Sequence, residues 1–254
     1  MLGPWRNWHH KLTGRETLSP ATAETQVWTP PPPELGQLEL PIGREVARDR
    51  NADRGGRSFY FFDFDDNVAF LATPIILFEK GTRRELKVSS GEYAQIHRQL
   101  GAAGAYENYE LDYCDQTGSF RCFRDRDMGV LEKLLGRRQM FVQDLAAALG
   151  HPDVHWKGPS WSCFYHAALN QRPMSLITAR GHSPETIKEG IRLFVNREYL
   201  PQEPNYLSIF PVTNPSVRKV LGCQDGSTSV AALKKAAIRA SVERAIEVYG
   251  NNDF

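Results

Sequence analysis

Phe59-Tyr-Phe-Phe-Asp-Phe-Asp-Asp-Asn-Val68 decides the fold. Phe59, Tyr60, Phe61 and Phe62 are aromatic, favour extended backbone and are unbroken by Gly or Pro, which predicts a buried strand. A run apolar on both sides suits the centre of a parallel sheet with helices on both faces, so the expected class is α/β with a Rossmann-like sheet. Three carboxylates follow at once: Asp63, Asp65 and Asp66. They stand beyond the carboxyl end of the strand, where open α/β sheets bind ligands. In Asp63-Phe64-Asp65 two acids leave the strand close together, and carboxylates so placed repel unless they share a cation. Mg²⁺ suits such hard oxygen donors and keeps waters that a phosphate can replace. One carboxylate would then attack and the other would give and take the proton. The competing reading of Asp-x-Asp alone is an acidic turn whose side chains cap the next helix.

Working outward, Met174-Ser-Leu-Ile-Thr178 reads as a second strand. A Thr hydroxyl at a strand end can bind a phosphate oxygen, as can N–H groups of the following turn. Arg180 is a candidate for the same phosphate; the alternative is a solvent-exposed side chain. Tyr206–Phe210 reads as a third strand, and Asn214 in the loop beyond it is a candidate substrate contact or simply part of an Asn-Pro turn. Helices are expected over Trp161–Asn170 and from Ser183-Pro-Glu to about Asn196, the second opened by Ser as N-cap and Pro at the first helical position. Gly226-Ser-Thr-Ser229 caps a last helix carrying Lys234 and Lys235 near its start.

Phe61-Phe-Asp63-Phe-Asp65-Asp66-Asn67 resembles the first motif of the haloacid-dehalogenase superfamily, an apolar strand ending in Asp-x-Asp, with Asn67 where Thr or Val is commoner. Leu176-Ile-Thr178-Ala-Arg180-Gly181 resembles its second motif. The resemblance covers roughly 57–80 and 160–254. It implies Asp63 as nucleophile, Asp65 as acid and base, Thr178 on the phosphate and Asn67 near the substrate. It also implies a third-motif lysine, Lys234 in preference to Lys235, that offsets the charge of nucleophile and phosphate. Mg²⁺ would be held by Asp63 and Asp65 and completed by a fourth, acidic motif on a further strand. After the last helix only Tyr249-Gly-Asn-Asn-Asp253-Phe254 remains. The expectation is a chain cut before the fourth motif, or an incomplete metal site with Asp253 as a lone acid.

The stretch between the two motifs is longer than one βαβ crossover needs. The excess, 80–155, is expected to be an inserted α+β cap that selects substrate, leaving 57–79 and 156–254 as the core. Within it, Glu85–Val88 should pair back on Ile75–Phe78, and Ser89-Ser-Gly-Glu92 has capping-box spacing. Residues 1–56, with Pro30–Pro33, lack hydrophobic periodicity and read as an extended or disordered tail.

A net charge of +1 gives no field that points to nucleic acid or an anionic membrane. No apolar run is long enough to span a bilayer. Cys114, Cys122, Cys163 and Cys223 form no C-x-x-C pair, which fits reduced, partly buried thiols in a cytoplasmic protein. The expected activity is Mg²⁺-dependent hydrolysis of a phosphorylated small molecule through an aspartyl-phosphate. The alternatives are a catalytically incomplete binding or scaffold module, and phosphotransfer to an acceptor other than water.

Overall fold

The computed structural model describes residues 47–49, 52–223 and 228–250. The chain runs through β1 (Tyr60–Phe62), β2 (Ile75–Glu79), β3 (Glu85–Val88), α1 (Ser90–Ile96) and β4 (Tyr109–Glu110). It continues through α2 (Val130–Leu134), α3 (Met140–Ala148), α4 (Asp153–Trp156), α5 (Trp161–Leu169) and β5 (Met174–Thr178). Then come α6 (Pro184–Asn196), β6 (Tyr206–Pro211), α7 (Pro215–Val220) and α8 (Val230–Tyr249). No helix among the described residues is long and apolar enough to cross a membrane.

The elements build two sheets. One is parallel, ordered β1-β5-β6; the other is antiparallel, ordered β3-β2-β4. Every residue of β5 is buried, so this strand, not β1, is the centre of the parallel sheet. The expectation for β1 is corrected by position: among the described residues it pairs with β5 alone, and Phe61 is 39% exposed. The register explains the exposure. Phe61, Ser175 and Ser208 lie side by side on the face that α8 covers, but α8 packs over β5 and β6 and leaves β1 half open. Between sheet and helix runs a chain of hydroxyls: Ser208 donates to Ser175 at 2.8 Å, Ser208 and Ser241 lie 2.9 Å apart, and Ser241 donates to the Ala237 carbonyl at 2.8 Å. On the other face Phe62 and Leu176 join α3, α5 and α6 in a core rich in Phe and Trp. Trp156, Trp161, Phe164 and Phe194 pack there at ring-centroid separations of 4.7 to 6.5 Å. These separations are typical of edge-on and offset aromatic pairs.

Local signals set the element ends. Ser89 accepts from the Glu92 N–H while Glu92 reaches back to the Ser89 N–H, completing the capping box of α1. Ser183 caps α6 with Pro184 in its first turn, and Ser229 caps α8.

The expected domain boundaries shift. β2 belongs to the antiparallel sheet, with Ile75 and Leu77 in its own small core beside Val88 and Ile96, so this unit begins before residue 80. At its other end α3 buries Phe141 and Leu145 in the main core, which removes α3 from the insertion. The chain is also tied to the body earlier than the expected boundary at 57. Asp49 forms an ion pair with Arg172, and its Oδ1 accepts from the Ser58 N–H at 2.9 Å. The expectation for 1–46, with Pro30–Pro33, lies outside the described residues. The four cysteines are free, but Cys114 and Cys163 are exposed rather than partly buried.

Helices α3 and α6 meet at Gly190, where an added Cβ would stand 2.4 Å from Cε1 of Phe141. The Phe141 ring is fully buried, so the strain would spread into the core. Gly190→Ala should therefore lower the free energy of unfolding by about 1–3 kcal/mol, measured by urea titration.

Candidate active site

The acidic turn forms because the chain reverses tightly after β1. The Phe64 carbonyl accepts from the N–H groups of Val68 (2.9 Å) and Ala69 (3.1 Å), with Phe64, Val68 and Ala69 fully buried beneath it. Asp66 adopts φ 59°, a left-handed conformation that a non-glycine residue takes up at a cost and that recurs at functional sites. The turn is fastened from outside: Ser160 N–H donates to the Asn67 carbonyl at 2.8 Å and Gly158 N–H to the Val68 carbonyl at 3.0 Å. Asn67 thus serves the turn through its main chain.

Asp63 and Asp65 have different surroundings. Nζ of Lys234, from the first turns of α8, lies 2.6 Å from Oδ2 of Asp63. This distinguishes Lys234 from Lys235, whose side chain is exposed. Asp65 is held by residues at and just after the end of β5. The Thr178 hydroxyl donates to its Oδ2 at 3.0 Å. Nε of Arg180 donates to both its oxygens (2.9 and 3.0 Å), and Nη2 donates to Oδ1 at 2.7 Å. Thr178 and Arg180, expected on a phosphate, are thus both turned onto Asp65. The alternative of a solvent-exposed Arg180 is overturned, since only 1% of its surface is accessible. Its guanidinium carbon lies 4.8 Å from the centre of the Phe123 ring and 4.9 Å from that of Phe141, within cation–π range of both.

Two residues that sequence reasoning missed complete this arrangement. Nη2 of Arg180 donates to the Thr73 hydroxyl at 2.7 Å, and that hydroxyl donates to Oδ2 of Asp144 on α3 at 2.5 Å. Burial pushes the Asp144 carboxyl up from its usual range, against the pull of Thr73 and Arg180. The signal in the sequence is slight: an acid flanked by the buried Phe141, Val142 and Leu145 of one helix.

Asn214 is corrected to a structural role. Its Nδ2 donates to the carbonyls of Gly181 (3.0 Å) and His182 (3.1 Å), and its Oδ1 caps α7 by accepting from Ser216 and Val217 N–H. Both ends of the amide are used inside the protein. From the other side Gly181 N–H donates to the Phe123 carbonyl at 2.8 Å, so the loop after β5 is clamped between two segments. Asp66 keeps an exposed side chain, yet lost hydration around its carboxyl pushes its pKa up. The Ser90 hydroxyl opposes that rise, and the charges of Asp65 and Asp63 add to it.

The donor set can be tested against Mg²⁺. Asp63, Asp65 and Asp66 bring three negative charges, Lys234 and Arg180 two positive ones, which leaves a site of net −1. Lys234 bonds Oδ2 of Asp63 and leaves Oδ1 outside that ion pair. Among the described residues no group of three or more His, Cys, Asp or Glu side chains converges to hold a metal, and Asp253 lies outside them. Mg²⁺ usually keeps several waters and takes one or two carboxylates, and Oδ1 of Asp63 is a carboxylate oxygen outside the ion pair. No protein-family model, curated protein or solved structure matches the chain.

Beside the site His182 is fully buried, with neither ring nitrogen partnered among the described residues. Burial first, then the charges of Arg180 and Arg124, push its pKa down to about 3. The folded value lies below the ordinary 6.5, so the unfolded chain takes up the proton first. Stability from keeping His182 neutral is complete above that ordinary value and is lost as pH falls towards the folded one. Unfolding free energies measured from about pH 6 to about pH 4 should fall more steeply in the native protein than in His182→Leu, by about 1.4 kcal/mol per pH unit.

Proposed function

We propose that the protein is a Mg²⁺-dependent phosphomonoester hydrolase of the haloacid-dehalogenase type, acting on a phosphorylated small molecule through an aspartyl-phosphate. The observation that carries this reading is the Lys234–Asp63 pair at 2.6 Å beyond the end of β1, with Asp65 held two residues further on by Thr178 and Arg180. A carboxylate beside a fixed ammonium is suited to attack a phosphorus that carries negative charge, because the cation offsets the charge that accumulates. Lys234 has three N–H donors, and one on Asp63 leaves others for a phosphoryl oxygen.

In the first step an oxygen of Asp63 attacks phosphorus and the ester P–O bond breaks, while Asp65, which takes up a proton from solvent water as substrate binds, passes it to the leaving oxygen. In the second, Asp65 takes a proton from water, the hydroxide forms a new bond to phosphorus, and inorganic phosphate leaves Asp63. Mg²⁺, held by Asp63 and the Asp65 carbonyl, would supply charge neutralisation at the phosphate. Helix α1, which follows β3 of the antiparallel sheet, touches the site where the Ser90 hydroxyl donates to Asp66 at 3.4 Å, and in this reading that unit is the substrate-selecting cap.

A second reading, a non-catalytic binding module, draws support from the inward-turned Thr178, Arg180 and Asn214. Assay of p-nitrophenyl phosphate with and without Mg²⁺ separates the two. Metal-dependent turnover is expected, reduced at least about 100-fold in Asp63→Asn and by about 100-fold or more in Lys234→Met, with both variants folded. Full activity of Asp63→Asn would exclude the aspartyl-phosphate route.

A further inference from the structure

Thr73 and Asp144 have no task in the chemistry above, yet both are joined to it. We infer that they are positioning residues that aim Arg180 and, through it, Asp65; the inference rests on the reading of Asp65 as the proton donor and acceptor.

The bonds have a forced direction. A guanidinium has donors and no acceptor, so Nη2 of Arg180 must donate to Thr73 across their 2.7 Å contact. The Thr73 hydroxyl then has its lone pair towards Arg180 and one proton to place. Asp144 Oδ2, 2.5 Å away, takes it. Asp144 therefore fixes the hydroxyl rotor, the rotor fixes one edge of the guanidinium, and the same Nη2 reaches Asp65 Oδ1 at 2.7 Å. The rings of Phe123 and Phe141 pack against the guanidinium at 4.8 and 4.9 Å, but ring contacts have no hydrogen-bond direction and leave the rotation of its donors to be fixed. A bond to Thr73 on one edge and to Asp65 on another stops that rotation.

The groups come from four places in the fold: the acidic turn (Asp65), the approach to β2 (Thr73), α3 (Asp144) and the loop after β5 (Arg180). Thr73 is buried and stands two residues before β2, so the same bond pins the chain where it enters the antiparallel sheet. A pair serving only to neutralise Arg180 would need no hydroxyl between the charges. The interposed Thr73 adds direction rather than charge.

The test compares two esters that differ in how much the leaving oxygen needs a proton: p-nitrophenyl phosphate, which needs little, and phenyl phosphate, which needs more. In Thr73→Val and in Asp144→Ala the ratio of kcat for the first to kcat for the second should rise at least about 10-fold, with KM nearly unchanged. Thr73→Ser should restore the native ratio, and the double variant should be no worse than either single one, because both break one relay. A parallel fall on both esters, or no change on either, would overturn the positioning role. Hydrogen exchange at the Arg180 Nε–H, followed by NMR, gives a readout that needs no turnover. It should quicken at least about 10-fold in Thr73→Val and in Asp144→Ala. Unchanged exchange refutes the relay whatever the activity. Native protein inactive on both esters, with exchange still governed by Thr73 and Asp144, would refute the hydrolase reading and leave the relay standing as a means of fixing Asp65.

Discussion

A buried guanidinium stays charged, so its charge has to be matched where it lies. Arg180 is such a group, and much of the site is arranged around it. Its donors meet Asp65 and Thr73, the rings of Phe123 and Phe141 pack against it, and Asp144 stands behind Thr73. Removing one partner of a buried ion pair typically costs about 3–5 kcal/mol, against about 1 kcal/mol for an ordinary hydrogen bond. This pair therefore governs where the loop after β5 and the acidic turn can sit relative to one another. His182, two residues on, stays neutral first because it is buried, with the charges of Arg180 and Arg124 acting in the same direction.

The two acids of the motif are consequently unlike. Asp63 meets a lysine that comes from α8, on the far side of the sheet register, and retains an oxygen outside that pair. Asp65 is surrounded by Thr178 and Arg180, with Thr73 and Asp144 hydrogen-bonded beyond them. Chemistry that splits nucleophile from acid and base needs such a difference, because two carboxylates in equal surroundings would share one role.

Much of the local structure was legible in the sequence because local chemistry decides it. The capping box at Ser89 and Glu92, the Ser183-Pro184 opening of α6 and the Ser229 cap all act within a few residues. The strand ends at Asp63 and Thr178 were legible too, since apolar runs stop there. The place of β1 at the sheet edge was not, because Phe61 is left half open by where α8 lands, and nothing near residue 61 encodes that. Nor were the directions of Thr178, Arg180 and Asn214. Each carries donors that suit a phosphate equally well in sequence, and each finds its partner among residues remote in the chain. Lys234 and Lys235 were equivalent by composition; one residue of helical rotation separates a lysine on Asp63 from one in solvent.

The hydroxyl seam under α8 has a mechanical consequence. Ser175, Ser208 and Ser241 are small, and they let the helix axis come close to the sheet. Lys234 lies two turns before Ser241 on the same rigid rod, roughly 10 Å along its axis. The rod works as a ruler: the thickness of the seam at one point sets the reach of the lysine at another. A bulkier side chain in the seam would lever the near end of the helix away from Asp63 without touching a single charged group, so the spacing of the ion pair is governed from deep inside the neutral part of the protein.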